Sequence, residues 1–377
     1  MTFDELVVAA SGAGASDIHL RAGQVPLVRI NGDLQRWTRV ATLTASHLEA
    51  IAERLLPPVH QERLRTRLEV DVAWQAAGVG RVRASVFRQR GTIGVSMRLI
   101  PERIPSLEAL GLPSSIIDLA HESRGLVLVT GVTGSGKSTT LAALVDLINR
   151  TRPLHVLTIE DPIEFVHKDL RAVITQREIG FDTPNYASGL RAALRQDPDV
   201  ILIGEMRDPE TIETALVAAE TGHLVFSTLH TLDAPETINR IVAAFPPHQQ
   251  EQIRIQLARV LRAAVSQRLL PRADGAGRAL AAEVLISTPY VRDCIQDPEK
   301  TSLIADAIVA GVSEYGMQSF DQAIFVLCQQ GLVTIEEALR WVTNVEEFKM
   351  RLRGITSGST AAVVKGDREP EIQAYGR

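Results

Sequence analysis

The chain has 377 residues, 45% of them apolar and 23% charged, with a net charge of −5. That length favours two domains with sizeable cores, and the acidic balance argues against a protein broadly coated for nucleic acid. Two cysteines, Cys294 and Cys328, with no Cys-x-x-Cys pair, exclude a four-cysteine zinc site and argue against a disulfide framework, as in a reducing compartment.

No basic segment followed by an apolar core opens the chain, so no secretory signal is expected. No apolar run approaches the roughly 18 residues that a membrane span needs. Residues 1–98 read as a small α+β domain. Leu48 to Leu56 has the spacing of an amphipathic helix and stops before Pro57-Pro58. Arg81 to Leu99 alternates polar and apolar residues around Gly91 and Gly94, as strands joined by a turn do. Residues 99–113 hold Pro101, Pro105, Gly111 and Pro113 and read as a linker and hinge.

From 114 to 353 the pattern is α/β. Apolar strands are expected at Leu126–Thr130, His155–Ile159, Val200–Ile203 and Leu224–Ser227, with helical stretches between several of them, as in a doubly wound sheet. Residues 236–268 and 288–350 read as mostly helical. The tail 354–377 has too little apolar content to fold and is expected to be disordered.

Gly131-Val132-Thr133-Gly134-Ser135-Gly136-Lys137-Ser138 is a complete phosphate-binding loop. It lies between an apolar, β-branched strand and an Ala/Leu-rich helix starting at Thr139, where its mechanism requires it. Glycines let backbone amides close on phosphate oxygens, and the new helix adds the positive end of its dipole. Gly131, Thr133, Gly134, Ser135, Gly136, Lys137, Ser138 and Thr139 are therefore expected to bind ATP. Lys137 reaches the β/γ-phosphates and the Ser138 hydroxyl ligates Mg²⁺.

Three strand tips carry further chemistry. Glu160, Asp161 and Glu164 follow one buried strand, at the sheet edge where open α/β proteins bind ligands. A carboxylate there can orient the water that attacks the γ-phosphate. A second strand ends in Gly204-Glu205, the place of the acid that holds Mg²⁺ through water or contacts the nucleophile. A third is framed by His223 and His230. Taken singly, such histidines are more often packed than catalytic, and their spacing makes no metal site, but His230 at the carboxyl end can sense the γ-phosphate. Arg81, Arg83 and Arg98 on the N-terminal strands read either as a solvated face or as fingers reaching a neighbouring subunit's phosphates.

Together these segments resemble the phosphate loop, Asp box, Walker B and His box of the secretion ATPase superfamily. The stretch from Leu194-Arg195-Gln196-Asp197-Pro198-Asp199 to Arg207-Asp208 is similar to its signature. Ala15–Leu20, Arg81-Val82-Arg83 and Gly316–Gln322 extend the likeness to the PilT-type ATPases that retract type IV pili in twitching motility. The resemblance implies a PAS-like N-terminal domain and a RecA-like motor domain assembled as a homohexamer. ATP would lie between the two domains, closed by the neighbour's N-terminal domain. It also implies Glu164 as the water-orienting carboxylate, Glu205 as the Walker B glutamate, His230 as the phosphate contact, and Arg81 and Arg83 as arginines acting across subunits. The ring would turn the inner-membrane platform protein from the cytoplasmic side, alone or with a paralogous pilus ATPase, and without nucleic acid. In this family the segment at Val291–Asp297 often reads Ala-Ile-Arg-Asn-Leu-Ile-Arg-Glu, of which only Arg292 and Ile295 clearly persist here. The alternatives are a PilU-like accessory ATPase, or another motor of the superfamily for pilus assembly, DNA uptake or conjugation.

Overall fold

Side chains that alternate between apolar and polar build an antiparallel sheet from the first hundred residues. A computed structural model describes residues 1–30, 32–100, 104–275 and 277–354. The expected tail after Gly354 and part of the expected linker, residues 101–103, lie outside them. The first strands are β1 (Ala15–Arg21), β2 (Leu27–Ile30), β3 (Asp33–Arg36), β4 (Glu69–Ala76), β5 (Gly80–Gln89) and β6 (Thr92–Leu99), ordered β3-β2-β1-β6-β5-β4. Helices α1 (Phe3–Gly12), α2 (Ala45–Leu55) and α3 (Pro58–Arg67) accompany them.

The β5–β6 turn is made by Arg90 and Gly91, both with positive φ, which matches the twist of the paired strands. Along β5, Val82, Ala84 and Val86 point into a core shared with Ile18, Leu20, Leu48 and Met97. The intervening Arg81, Arg83 and Ser85 therefore face the other way. α2 starts at a capping box in which Thr44 and His47 satisfy each other's amides, and it ends at Leu55, where the Pro57-Pro58 stop is expected.

The later elements are α4 (Ser114–Leu119), β7 (Gly125–Thr130), α5 (Lys137–Thr151), β8 (His155–Glu160), β9 (Val173–Glu178), α6 (Tyr186–Ala193), β10 (Val200–Ile203), α7 (Pro209–Glu220), β11 (Leu224–Leu229), α8 (Ala234–Ala243), α9 (Pro247–Val260), β12 (Leu261–Pro271), β13 (Arg278–Ile286) and α10 (Pro289–Gln296). Further helices include Ile304–Ala310, Phe320–Gln329, Ile335–Trp341 and Val345–Leu352.

Two units gather these elements. The first comprises Met1–Gly111, Ala120–Leu126 and Gly136–Leu229; the second comprises Leu112–Leu119, Val127–Ser135 and the chain from His230. In the first, β11-β10-β8-β9 lie in that order and pair in parallel. Every residue of β10 and β11 is buried, the pattern of strands covered on both faces. In the second, the order is β13-β12-β7, and β12 and β13 run antiparallel from Ala263 opposite Ile286 to Pro271 opposite Arg278.

The four expected strands are present as β7, β8, β10 and β11. One expectation fails: residues 261–268 are strand, not helix. Their Ala, Leu, Gln and Arg favour helix locally, but pairing with β13 overrides that preference. Leu270, Ala279 and Ala281 of this hairpin pack with Phe320, Ile324 and Phe348 in a separate small core.

Candidate nucleotide-binding site

Steric demands fix the phosphate loop. Gly131 has φ +135°, and a Cβ there would lie 2.5 Å from the Gln267 carbonyl oxygen and 2.6 Å from Ser135 Oγ, so no larger residue fits. Gly134 and Gly136 also take positive φ, at 80° and 98°. The Ser135 amide donates to the Val132 carbonyl at 3.1 Å and tightens the turn. Its hydroxyl is buried without a hydrogen-bond partner among the described residues. α5 begins at Lys137 with Gly136 as its cap and no side chain capping its first amides. A glycine cradle, an orphaned buried hydroxyl and an uncapped helix start together suit phosphate oxygens.

Lys137 is only 8% exposed. Burial lowers its pKa, and the charges of Glu205 and Glu164 act in the opposite direction. The structure thus brings together the lysine and the two carboxylates that the sequence singled out. Ser138 and Thr139 follow in the first turn of α5.

Glu160, the last residue of β8, and Glu164 after it differ in their surroundings. Glu160 accepts from Thr158 Oγ1 at 2.6 Å and from Gln176 Nε2 at 3.2 Å. Burial raises its pKa, against these bonds and one from the Glu164 amide. It clamps the turn. Glu164, four residues on, is exposed.

Glu205 is set by its neighbours. A Cβ on Gly204 would meet the Tyr186 hydroxyl oxygen at 2.8 Å, so glycine lets α6 approach the strand end. Arg207 Nη2 reaches Glu205 Oε2 at 2.7 Å from an exposed position. The Tyr186 hydroxyl is pushed up in pKa by burial, then by the charges of Asp161 and Glu205. Sequence reasoning missed Tyr186, which belongs to no motif.

His230 directly follows β11 and is exposed, whereas His223 is a packed group whose Nδ1 lies 2.9 Å from the Ala218 carbonyl. Arg81 pairs with Glu178, a carboxylate that is 4% exposed and also accepts the Ile163 amide at 3.2 Å. Glu178, too, was missed. Arg83 lies 3.7 Å from Asp71, with both groups substantially exposed, and Arg98 donates to Asp17 at 3.0 Å. Among the described residues, no group of three or more His, Cys, Asp or Glu could hold a metal by itself. No helix among them is long and apolar enough to cross a membrane.

A phosphate-loop cradle leading into α5, in a chain whose parallel strands run on to Glu164 and Glu205, defines a P-loop nucleotide-binding protein. The family model for type II/IV secretion system proteins matches residues 2–339, and the chain belongs to that family. It is 42% identical to the type IV pilus retraction ATPase PilT of Pseudomonas aeruginosa, over 92% of this chain and 100% of that one. It is 38% identical to the type IV pilus ATPase PilU of the same organism, over 94% of this chain and 92% of that one. A crystal structure of the pilus retraction motor PilT with bound ADP superposes with a TM-score of 0.85 at 45% identity, covering 92% of this chain and 98% of that one. The fold is the secretion ATPase fold, an N-terminal domain with a RecA-like core, and the chain, like these relatives, is an ATPase.

Proposed function

We propose that the chain is an ATP-driven motor for type IV pilus retraction, working as a homohexamer that turns the inner-membrane platform protein from the cytoplasmic side. The observation that carries this reading is buried Lys137 at the start of α5, on which the charges of Glu205 and Glu164 act. The PilT relative matched along its whole length and the PilT structure with bound ADP support it.

Each residue then has a task. The amides from Gly131 to Thr139 and the Lys137 ammonium bind the β/γ-phosphates and offset their charge. Ser138 and Glu205 would hold Mg²⁺, which would supply further neutralisation of the phosphate charge. Glu164 orients the attacking water and accepts its proton. His230 hydrogen-bonds the γ-phosphate. Arg81 and Arg83, in the N-terminal domain of residues 1–98, serve a neighbouring subunit's site. Residues 99–113 absorb the rotation between that domain and the motor domain of residues 114–353.

A PilU-like accessory role is the second reading, favoured by the departure at Val291–Asp297, most of which lies in α10. The test has two parts. Purified protein should release phosphate from ATP as a six-membered particle, and Lys137→Ala should not. In a strain without paralogous pilus ATPases, the gene should restore retraction; failure there with ATPase activity intact would favour the accessory role.

A further inference from the structure

A buried polar thread runs behind the phosphate loop, within the second unit, and hydrolysis as described above does not use it. Thr130 ends β7 one residue before Gly131, and its hydroxyl donates to Ser266 Oγ on β12 at 3.0 Å. The Ser266 hydroxyl donates to Glu283 Oε1 on β13 at 3.5 Å. The same carboxylate oxygen accepts the Ala234 amide at 2.8 Å. Ala234 opens α8, four residues after His230. Thr130 and Ser266 are fully buried and Glu283 is 9% exposed. The next residue on β12, Gln267, presses its carbonyl against Gly131. A carboxyl side chain is thus buried where it is linked through Ser266 to the strand that ends at the loop, and directly to the amide that opens α8, four residues after His230.

We propose that Glu283 is a positioning residue that holds the root of the phosphate loop and the His230 segment in fixed register, through Ser266 and Thr130 on one side and the Ala234 amide on the other. The inference rests on the ATPase reading above. Its physical basis is the asymmetry between the two forms of the carboxyl. Ionised, Glu283 accepts strongly from an amide at a helix start and from a hydroxyl. Protonated, it gives up part of that capacity and the thread slackens.

Burial raises the Glu283 pKa to about 7. Of the charged groups facing it, Asp233 at the α8 cap raises the value further and Arg268 on β12 lowers it. On the helices Phe320–Gln329 and Ile304–Ala310, which also pack on β13, Asp321 accepts the Thr343 and Asn344 amides while its charge acts on Arg268, and the charge of Asp306 acts on Tyr290. The grip should therefore strengthen as pH rises through neutrality. Stability runs the other way. The folded pKa lies above the ordinary 4.5, so this group's contribution is full below 4.5 and is lost as pH rises to about 7.

The opposed signs make the test. Wild type, Glu283→Gln and Ser266→Ala are compared by ATP turnover across neutral pH, by binding of fluorescent ADP, and by thermal unfolding. Wild-type kcat should rise through a step near the Glu283 pKa. Glu283→Gln should lack the step and turn over about tenfold more slowly above it. It should bind ADP within about twofold of wild type and unfold at a higher temperature in mild alkali. Ser266→Ala should keep the step but move it to higher pH, because the bond that favours the ionised form is gone. A Glu283→Gln protein with wild-type kcat and an unchanged step would overturn the inference. So would one whose slower turnover comes with a lower unfolding temperature, the mark of mere packing. Absence of turnover by the wild type would instead overturn the ATPase reading.

Discussion

Lys137 and Arg81 are both cations drawn out of bulk water, and their surroundings treat them differently. Burial lowers the pKa of Lys137, and the charges of two acids of the candidate site, Glu205 and Glu164, oppose that in part. Arg81 is matched directly by Glu178, a nearly inaccessible carboxylate that the Ile163 amide also holds. The difference lies in backbone context. Lys137 opens a helix beside glycines shaped for an anion, whereas Arg81 projects from the polar face of a strand. A buried lysine at a helix start and an arginine matched by a buried carboxylate should respond to mutation in different ways.

The largest expected effect is at Lys137. Lys137→Ala should lower kcat/KM for ATP on the order of 10³-fold or more with little change in unfolding temperature, because it removes a ligand contact and a buried charge together. Glu205→Gln comes next. It should keep nucleotide affinity and lose turnover by about 10²-fold, read by phosphate release beside fluorescent-ADP binding. Loss of binding with turnover would mean that Glu205 shapes the pocket rather than the reaction.

Arg81 gives the contrasting outcome. Arg81→Ala should destabilise the protein by about 3 kcal/mol, since it strands a buried carboxylate, and adding Glu178→Gln should return most of that stability. If Arg81 also serves a neighbour's site, the double variant stays inactive and regains some turnover when mixed with Lys137→Ala protein. Full activity of the double variant alone would confine Arg81 to the fold. The smallest stability effect belongs to Arg83→Ala. Its pair with Asp71 is exposed, so the unfolding free energy should change by less than about 0.5 kcal/mol.

These contrasts follow what could be read from residue order. β7, the loop and α5 were legible because their signals are contiguous: an apolar strand, spaced glycines and a helix-forming run. That Glu164 and Glu205 each come after a buried strand was legible from the apolar runs before them. The hairpin β12–β13 was not, because Ala263, Ala264, Leu269 and Leu270 suit a helix as well as a strand, and only the partner strand decides. The Arg81–Glu178 pair joins residues 97 positions apart, and no local pattern announces it. Nor does sequence separate Glu160 from Glu164. That division depends on Thr158 and Gln176 clamping one carboxylate while the other stays exposed.

Steady-state phosphate release by wild type and Glu164→Gln, at ATP concentrations shown to saturate both, tests the central claim most directly. The wild type should turn over, and the variant should bind nucleotide normally while releasing phosphate at least about a hundredfold more slowly. Equal rates would contradict the assignment of Glu164 as the residue that prepares the attacking water.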